Sequence, residues 1–266
     1  MSATIRMPLP ARPSVSQAPT KTFTRSRGLA RTAHRTMIYG PGGIGKTSLA
    51  AAFPGVVIVD IEKGSVDHEN VNRVLDVTSF GELRSFLQSD DFSDDSAICI
   101  DSITKAEEWA VADVLATAKT RDGNQAKCIE DYGYKDGYTM VYDRMLMLLG
   151  DLDRLYAKGK HIILIAHSID AAEKNALGED FRRRRPRLLN ADKTNVVAKY
   201  CEWVDHVLCI ELDMDVTKKG KAIGGGSRTI YCQDTPARLA KTRTLNPDPI
   251  IYEPGDGSLW TAMLGQ

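Results

Sequence analysis

Residues 40–47, Gly-Pro-Gly-Gly-Ile-Gly-Lys-Thr, constrain this chain more than any other stretch. They match G-x-x-x-x-G-K-[ST], follow the apolar run Met37-Ile38-Tyr39 and lead into Ser48-Leu49-Ala50-Ala51-Ala52-Phe53, which reads as helix. Glycines let the backbone turn with its N–H groups aimed inward, so Gly40, Pro41, Gly42, Gly43, Ile44 and Gly45 predict a concave anion nest ahead of a helix that opens near Ser48. The expected guest is the phosphate chain of ATP. Lys46 is expected to reach the β- and γ-phosphates, and the Thr47 hydroxyl to complete the coordination of Mg²⁺, a hard cation that takes oxygen ligands.

A chain of 266 residues has room for one large α/β domain or two small ones. Its 35 basic and 35 acidic side chains cancel, so whole-chain charge points to no particular partner. Their distribution is uneven. No Asp or Glu occurs before Asp60, while Arg6, Arg12, Lys21, Arg25, Arg27, Arg31 and Arg35 make the start basic. Residues 1–34 lack hydrophobic periodicity and read as a disordered basic arm, suited to nucleic-acid phosphates or simply solvated. The domain proper is expected over 35–266.

Five cysteines occur without C-x-x-C spacing, which argues against a disulfide framework and for a reducing, cytoplasmic setting. Cys99, Cys209 and Cys232 fall in apolar or alternating runs and read as small core residues. No apolar run approaches the roughly 20 residues that span a bilayer, so no membrane partner is expected.

Three further apolar runs end in polar residues. Residues 55–62 close on Asp60-Ile61-Glu62, 97–102 on Asp101-Ser102, and 161–168 on His167-Ser168. Buried parallel strands read this way, with their C-terminal ends facing a site. Glu62 is the candidate to orient the attacking water, Asp101 to hold Mg²⁺, Ser102 to bond near the phosphates, and His167 to sense the γ-phosphate. Helices are expected over 80–87, 103–118, 138–158 and 192–203, and strands over 74–77, 204–212 and 228–232. Residues 217–226 read as a hairpin connection, and 247–255 as turn-rich. Ser258-Leu259-Trp260 is expected to form a terminal strand.

Two segments combine features of a single-strand surface. Residues 119–136 interleave Lys127, Tyr132, Tyr134 and Lys135, aromatics among cations on which bases stack; packing of the loop onto the domain is the plainer use of the same tyrosines. The loop expected over 169–190 carries Arg182, Arg183, Arg184 and Arg185, with Arg187 beyond, and five guanidiniums so close repel one another unless anions lie nearby; nucleic-acid phosphates are one source, and a solvated run facing acids elsewhere in the chain is the competing reading. Lys241 and Arg243 follow a strand, where cations can reach the phosphates of a neighbouring subunit's nucleotide.

In this order the phosphate loop, the strand ending at Glu62, the strand ending at Asp101 and the strand ending at His167 resemble a RecA-like P-loop ATPase over about residues 36–243. More narrowly, the chain is similar to small phage RecA-like nucleotide-binding proteins related to single-strand annealing proteins. The resemblance implies an α/β fold with a mainly parallel central sheet flanked by helices and antiparallel strands at the C-terminal edge. It implies Glu62 as catalytic base, Asp101 as the magnesium acid and His167 at the sensor position, where RecA has glutamine. A histidine there would make coupling sensitive to pH. The resemblance also implies that residues 119–136 and 169–190 face single-stranded DNA, and that Lys241 and Arg243 act catalytically across an interface in a ring or filament. A single-strand binding protein is a further expected partner, and a phage gene expressed in a bacterial host the expected origin. The function so expected is ATP-dependent, Mg²⁺-dependent single-stranded DNA binding in recombination or annealing. The rival readings are a nucleotide-gated switch for a protein partner and a helicase or packaging motor subunit.

Overall fold

The computed structural model describes residues 33–65, 71–89, 91–174, 178–191, 193–216 and 222–265. The expected basic arm lies outside the described residues, apart from Ala33 and His34. Asp192, the expected start of one helix, and residues 217–221 of the expected hairpin connection lie outside them too. Both Ala33 and His34 are packed rather than free: Ala33 is buried, and the His34 amide donates to His161 Nδ1 at 3.1 Å.

The strands β1 (Arg35–Gly40), β2 (Val56–Asp60), β3 (Asn72–Val74), β4 (Ala97–Asp101), β5 (His161–Glu173) and β7 (His206–Val216) run parallel in the order β3-β2-β4-β5-β1-β7. Antiparallel β8 (Ala222–Tyr231) and β9 (Ile250–Tyr252) extend the sheet beyond β7, and β6 (Phe181–Pro186) pairs with the end of β5. This is the α/β sheet expected from the alternating apolar runs. Side chains of each strand alternate between two cores. Tyr39, Val59, Ile100, Leu164 and Cys209 face one; Ile38, Ile58, Cys99, Ile165 and Leu208 face the other. Both faces are therefore covered, as near-continuous apolar strands require.

On the first face lie α2 (Phe80–Gln88), α3 (Ile103–Thr117), α4 (Asp136–Ala157) and α5 (Val196–Trp203); on the second lie α1 (Lys46–Ala51) and α6 (Ser258–Leu264). The starts of α2, α3 and α5 are set by side chains that accept from the first turn: Ser79 from Glu82 N, Ser102 from Lys105 N, and Asn195 from Ala198 N. Among the described helices none is long and apolar enough to cross a membrane.

Several local expectations are corrected. Residues 258–260 open a helix rather than a strand. Asp256 accepts from both the amide and hydroxyl of Ser258, and Leu259, Trp260 and Met263 then share the helical spacing that buries them. Trp260 Nε1 donates to Leu49 O at 2.7 Å, fastening α6 under the phosphate-loop helix. The turn-rich stretch 247–255 contains β9, and the short strand expected at 74–77 is instead β3, ending at Val74. The loop expected over 169–190 is largely a β-hairpin arm, because β5 continues past His167 to Glu173 and β6 returns along it.

Where β1, β5 and β7 begin, three histidines meet. His34 Nδ1 lies 3.2 Å from His206 Nε2, and the rings of His34 and His161 stack with centroids 5.8 Å apart. Burial, and secondarily His34, pushes the His161 pKa down to about 4. An unfolded histidine titrates near 6.5, so between about pH 6.5 and 4 the unfolded chain binds more protons at this site and the His161 contribution to stability falls as pH falls. Burial raises two carboxyls, Asp101 to about 6 and Glu107 to about 7, which act in the opposite sense, so the readout is the difference between variant and wild type. The urea midpoint of His161→Asn is expected to rise relative to wild type as pH falls through this window, since its amide oxygen takes the same bond from His34 N without titrating; a difference that does not change with pH would remove His161 as the cause.

Candidate active site

The C-terminal ends of β1, β2, β4 and β5 converge on a cleft of about 360 Å³, lined by Gly42, Gly43, Gly45, Lys46, Thr47, Ser48, Glu62, Gly64, Asp101 and His167. Gly40, Pro41 and Ile44 complete the loop without lining the cleft. A side chain at Gly40 would place its Cβ 2.5 Å from Ile210 O on neighbouring β7, so the turn leaves the sheet only with glycine there. Gly45, just before α1, has φ of 101°, a left-handed conformation that favours glycine. Tyr252 on β9 supports it from below, its hydroxyl donating to Gly45 O at 2.8 Å.

Lys46 is only 7% exposed. Its Nζ donates to Gly40 O at 3.1 Å and Pro41 O at 2.8 Å, and burial pushes its pKa down. The ammonium is thus held inside the loop by neutral carbonyls, where a phosphate would compensate it far better. Thr47 Oγ1 donates to Asp101 Oδ2 at 2.6 Å. Asp101 is pushed up to about 6, first by burial and then by the neighbouring carboxylates of Glu62 and Asp60, against the Thr47 bond and Lys46. A crowded, desolvated carboxylate beside a hydroxyl is a hard-oxygen donor set short of positive charge, and it fits Mg²⁺. Among the described residues no cluster of three or more His, Cys, Asp or Glu side chains is arranged to hold a metal, so two protein oxygens would leave the remaining positions to phosphate and water.

The two acids at the end of β2 separate in role. Asp60 is buried and builds the turn, accepting from Gly64 N, Ser65 N and Ser65 Oγ. Glu62 lines the cleft. Its carboxylate is clasped by His167 Nε2, at 3.0 and 3.1 Å from its two oxygens, and by the Ser102 hydroxyl. Ser102 therefore bonds the acid rather than a phosphate position, while also capping α3. The Asp101–Ser102 peptide is cis. His167 is in turn placed by Thr104 Oγ1, which accepts from its amide at 3.0 Å, and by Arg187 N, which donates to its carbonyl at 2.8 Å. Thr104 and Tyr252 carry no local sequence signal; each is a lone polar or aromatic residue brought in by tertiary packing.

The remaining candidates lie outside this cleft. Tyr132 is a correction: at 3% exposure, with its hydroxyl donating to Val114 O and Ala118 O, it packs the loop and cannot stack a base. Tyr134 is 86% exposed on a left-handed backbone, φ 45°, beneath the Arg121 guanidinium at 4.7 Å, and Lys127 and Lys135 are exposed nearby in sequence. The arginine run is a strand whose charges are met by acids: Arg183 by Asp234, Arg184 by Asp170 and Glu211, Arg185 by Glu173. Arg182 donates to Asp170 O. The expected self-repulsion is thus relieved within the chain. Lys241 Nζ donates to Cys201 O at 2.5 Å and Glu202 O at 3.4 Å, and Arg243 Nε lies 3.7 Å from Asp205 Oδ1; neither lines the cleft of its own chain.

A family model described as an AAA domain matches residues 32–244. No curated protein matches the chain.

Proposed function

Because the chain belongs to the AAA domain family, a family of P-loop ATPase domains, we propose that it binds ATP with Mg²⁺ and hydrolyses it in the cleft above β1, β2, β4 and β5. The observation that carries this reading is the 2.6 Å contact of Thr47 with Asp101 beside a buried Lys46 and facing Glu62. The loop amides and Lys46 bind the phosphates. Held by Thr47 and Asp101, Mg²⁺ would supply charge that neutralises the phosphate oxygens. Glu62 accepts a hydrogen bond from the attacking water and orients it. His167 and Ser102 hold Glu62 in place, and His167 joins that acid to the β5–β6 arm.

More finely, we propose that hydrolysis serves single-stranded DNA in recombination or annealing, in a homo-oligomer where Arg243, about half exposed, reaches a neighbour's nucleotide. Support comes from Tyr134: an aromatic side chain held in solvent on a left-handed backbone, with Arg121 over its ring and Lys127 and Lys135 exposed in the same segment, suits base stacking with phosphate neutralisation. The internally paired arginines of β6 weigh against strand binding by that arm and leave a second reading, a nucleotide-gated switch for a protein partner. ATPase rate and strand binding with and without an oligodeoxynucleotide at low salt decide between them. Stimulation is expected, with Tyr134→Ala weakening strand binding about 10-fold, in keeping with roughly 1–3 kcal/mol per stacked base. No stimulation and no binding would leave the switch.

A further inference from the structure

A second cavity, of about 340 Å³, opens between β6, α5 and the segment around Leu239–Lys241, and shares no lining residue with the nucleotide cleft. Its apolar lining is Val197, Ala198, Cys201 and Leu239. Its polar wall holds three cations, and strand geometry explains two of them. Arg183 and Arg185, two apart on β6, project to the same side.

The donor capacity of this wall is not spent. Arg183 Nη2 is used by Asp234 and by Arg238 O, and Arg185 Nη1 by the carbonyls of Pro186 and Leu188. The Nε–H of each is buried and makes no hydrogen bond among the described residues; Arg185 Nε has only the Glu173 carboxylate at 3.7 Å. Burial closes those two Nε–H groups to a ligand, but Arg183 Nη1 and Arg185 Nη2 make no hydrogen bond among the described residues and are not buried, so each guanidinium keeps a donor for an acceptor in the cavity. Lys241 has three protons and bonds two carbonyls, leaving capacity for a third partner. Among the lining residues Arg183, Arg185 and Lys241 face Glu173 and Glu202, and Asp234 pairs with Arg183 from outside the lining, so what the wall offers an anion is hydrogen-bond donors rather than excess charge. The volume matches small-molecule sites rather than a polymer groove.

We propose that this cavity binds a small organic oxyanion, a carboxylate or phosphate monoester, with its head on Arg183, Arg185 and Lys241 and a short apolar body against Val197, Ala198 and Leu239. The guanidinium fork and the ammonium suit such a head, and the apolar lining suits a chain of a few carbons. The test is calorimetric titration of the full chain, its nucleotide cleft saturated with Mg·ADP, using butyrate, n-propyl phosphate and, as an uncharged control, n-butanol. One site per chain is expected for at least one anion and none for the alcohol; the two anion arms distinguish the head group. Arg185→Gln is expected to weaken binding at least 10-fold. Ala198→Phe, at an exposed position on α5, should do the same by filling the cavity with charge unchanged and the melting temperature near wild type. No saturable binding of either anion at millimolar concentration, or binding that survives both substitutions, would overturn the proposal.

Discussion

Glu62→Gln is expected to lower ATP turnover by at least about 100-fold while leaving nucleotide affinity within a few fold of wild type. The reason is geometric. The carboxylate stands in the cleft with Lys46, Thr47 and Asp101 but bonds none of them; its partners are His167 and Ser102. An amide of the same shape can keep a bond from the Ser102 hydroxyl or His167, so the cleft should hold its form. What is lost is the negative charge that orients and polarises water, and this matters only once the γ-phosphate is attacked. Single-turnover hydrolysis alongside equilibrium nucleotide binding separates the two effects. Wild-type turnover in this variant would move the role to another residue, whereas an equal loss of binding would make Glu62 a ligand for the nucleotide.

Lys46→Met is expected to act at the earlier step, weakening Mg·ATP binding about 100-fold or more, as follows from the roughly 3 kcal/mol upper range for a hydrogen bond to a charged group. The fold itself should tolerate the change. Lys46 is buried with, among the described residues, only the Gly40 and Pro41 carbonyls as hydrogen-bond partners, and burial already lowers its pKa, so the apo protein carries a desolvation cost that methionine removes. A melting temperature equal to or above wild type, with nucleotide binding lost, is the expected pair of results. Undiminished affinity would show that the loop amides alone capture the phosphates, and unfolding would show that the amine stabilises the loop.

Much of the nucleotide cleft was legible in the chain because its parts are local. A glycine-rich turn between a strand and a helix, and acids at the ends of apolar runs, follow from short-range sterics and from the burial of parallel strands. The choice of Glu62 over Asp60 was legible only as a candidate; Asp60 is consumed by the turn at Gly64 and Ser65, which no spacing discloses. Periodicity misled where segments were short, as at Ser258–Leu264, where three residues of pattern cannot separate a strand from a helix. Charge left two readings open. The arginine run could face nucleic acid or acids elsewhere in the chain, and only the fold brings Asp170, Glu173, Glu211 and Asp234 beside it, the farthest 51 residues away along the chain.

By itself the sequence determined that a phosphate loop closes β1, that the strands are buried on both faces, and that Lys46, Thr47, Glu62, Asp101 and His167 belong to one end of one sheet. Only the tertiary structure decided how they meet: Thr47 bonded to Asp101, Glu62 clasped by His167 and Ser102, Tyr252 beneath Gly45, and Tyr132 buried while Tyr134 stands in solvent. The physical reason is range. Turn chemistry and strand burial act over a few residues and leave their mark in local pattern, whereas hydrogen-bond pairing and exposure depend on which distant segments the packed sheet brings into contact.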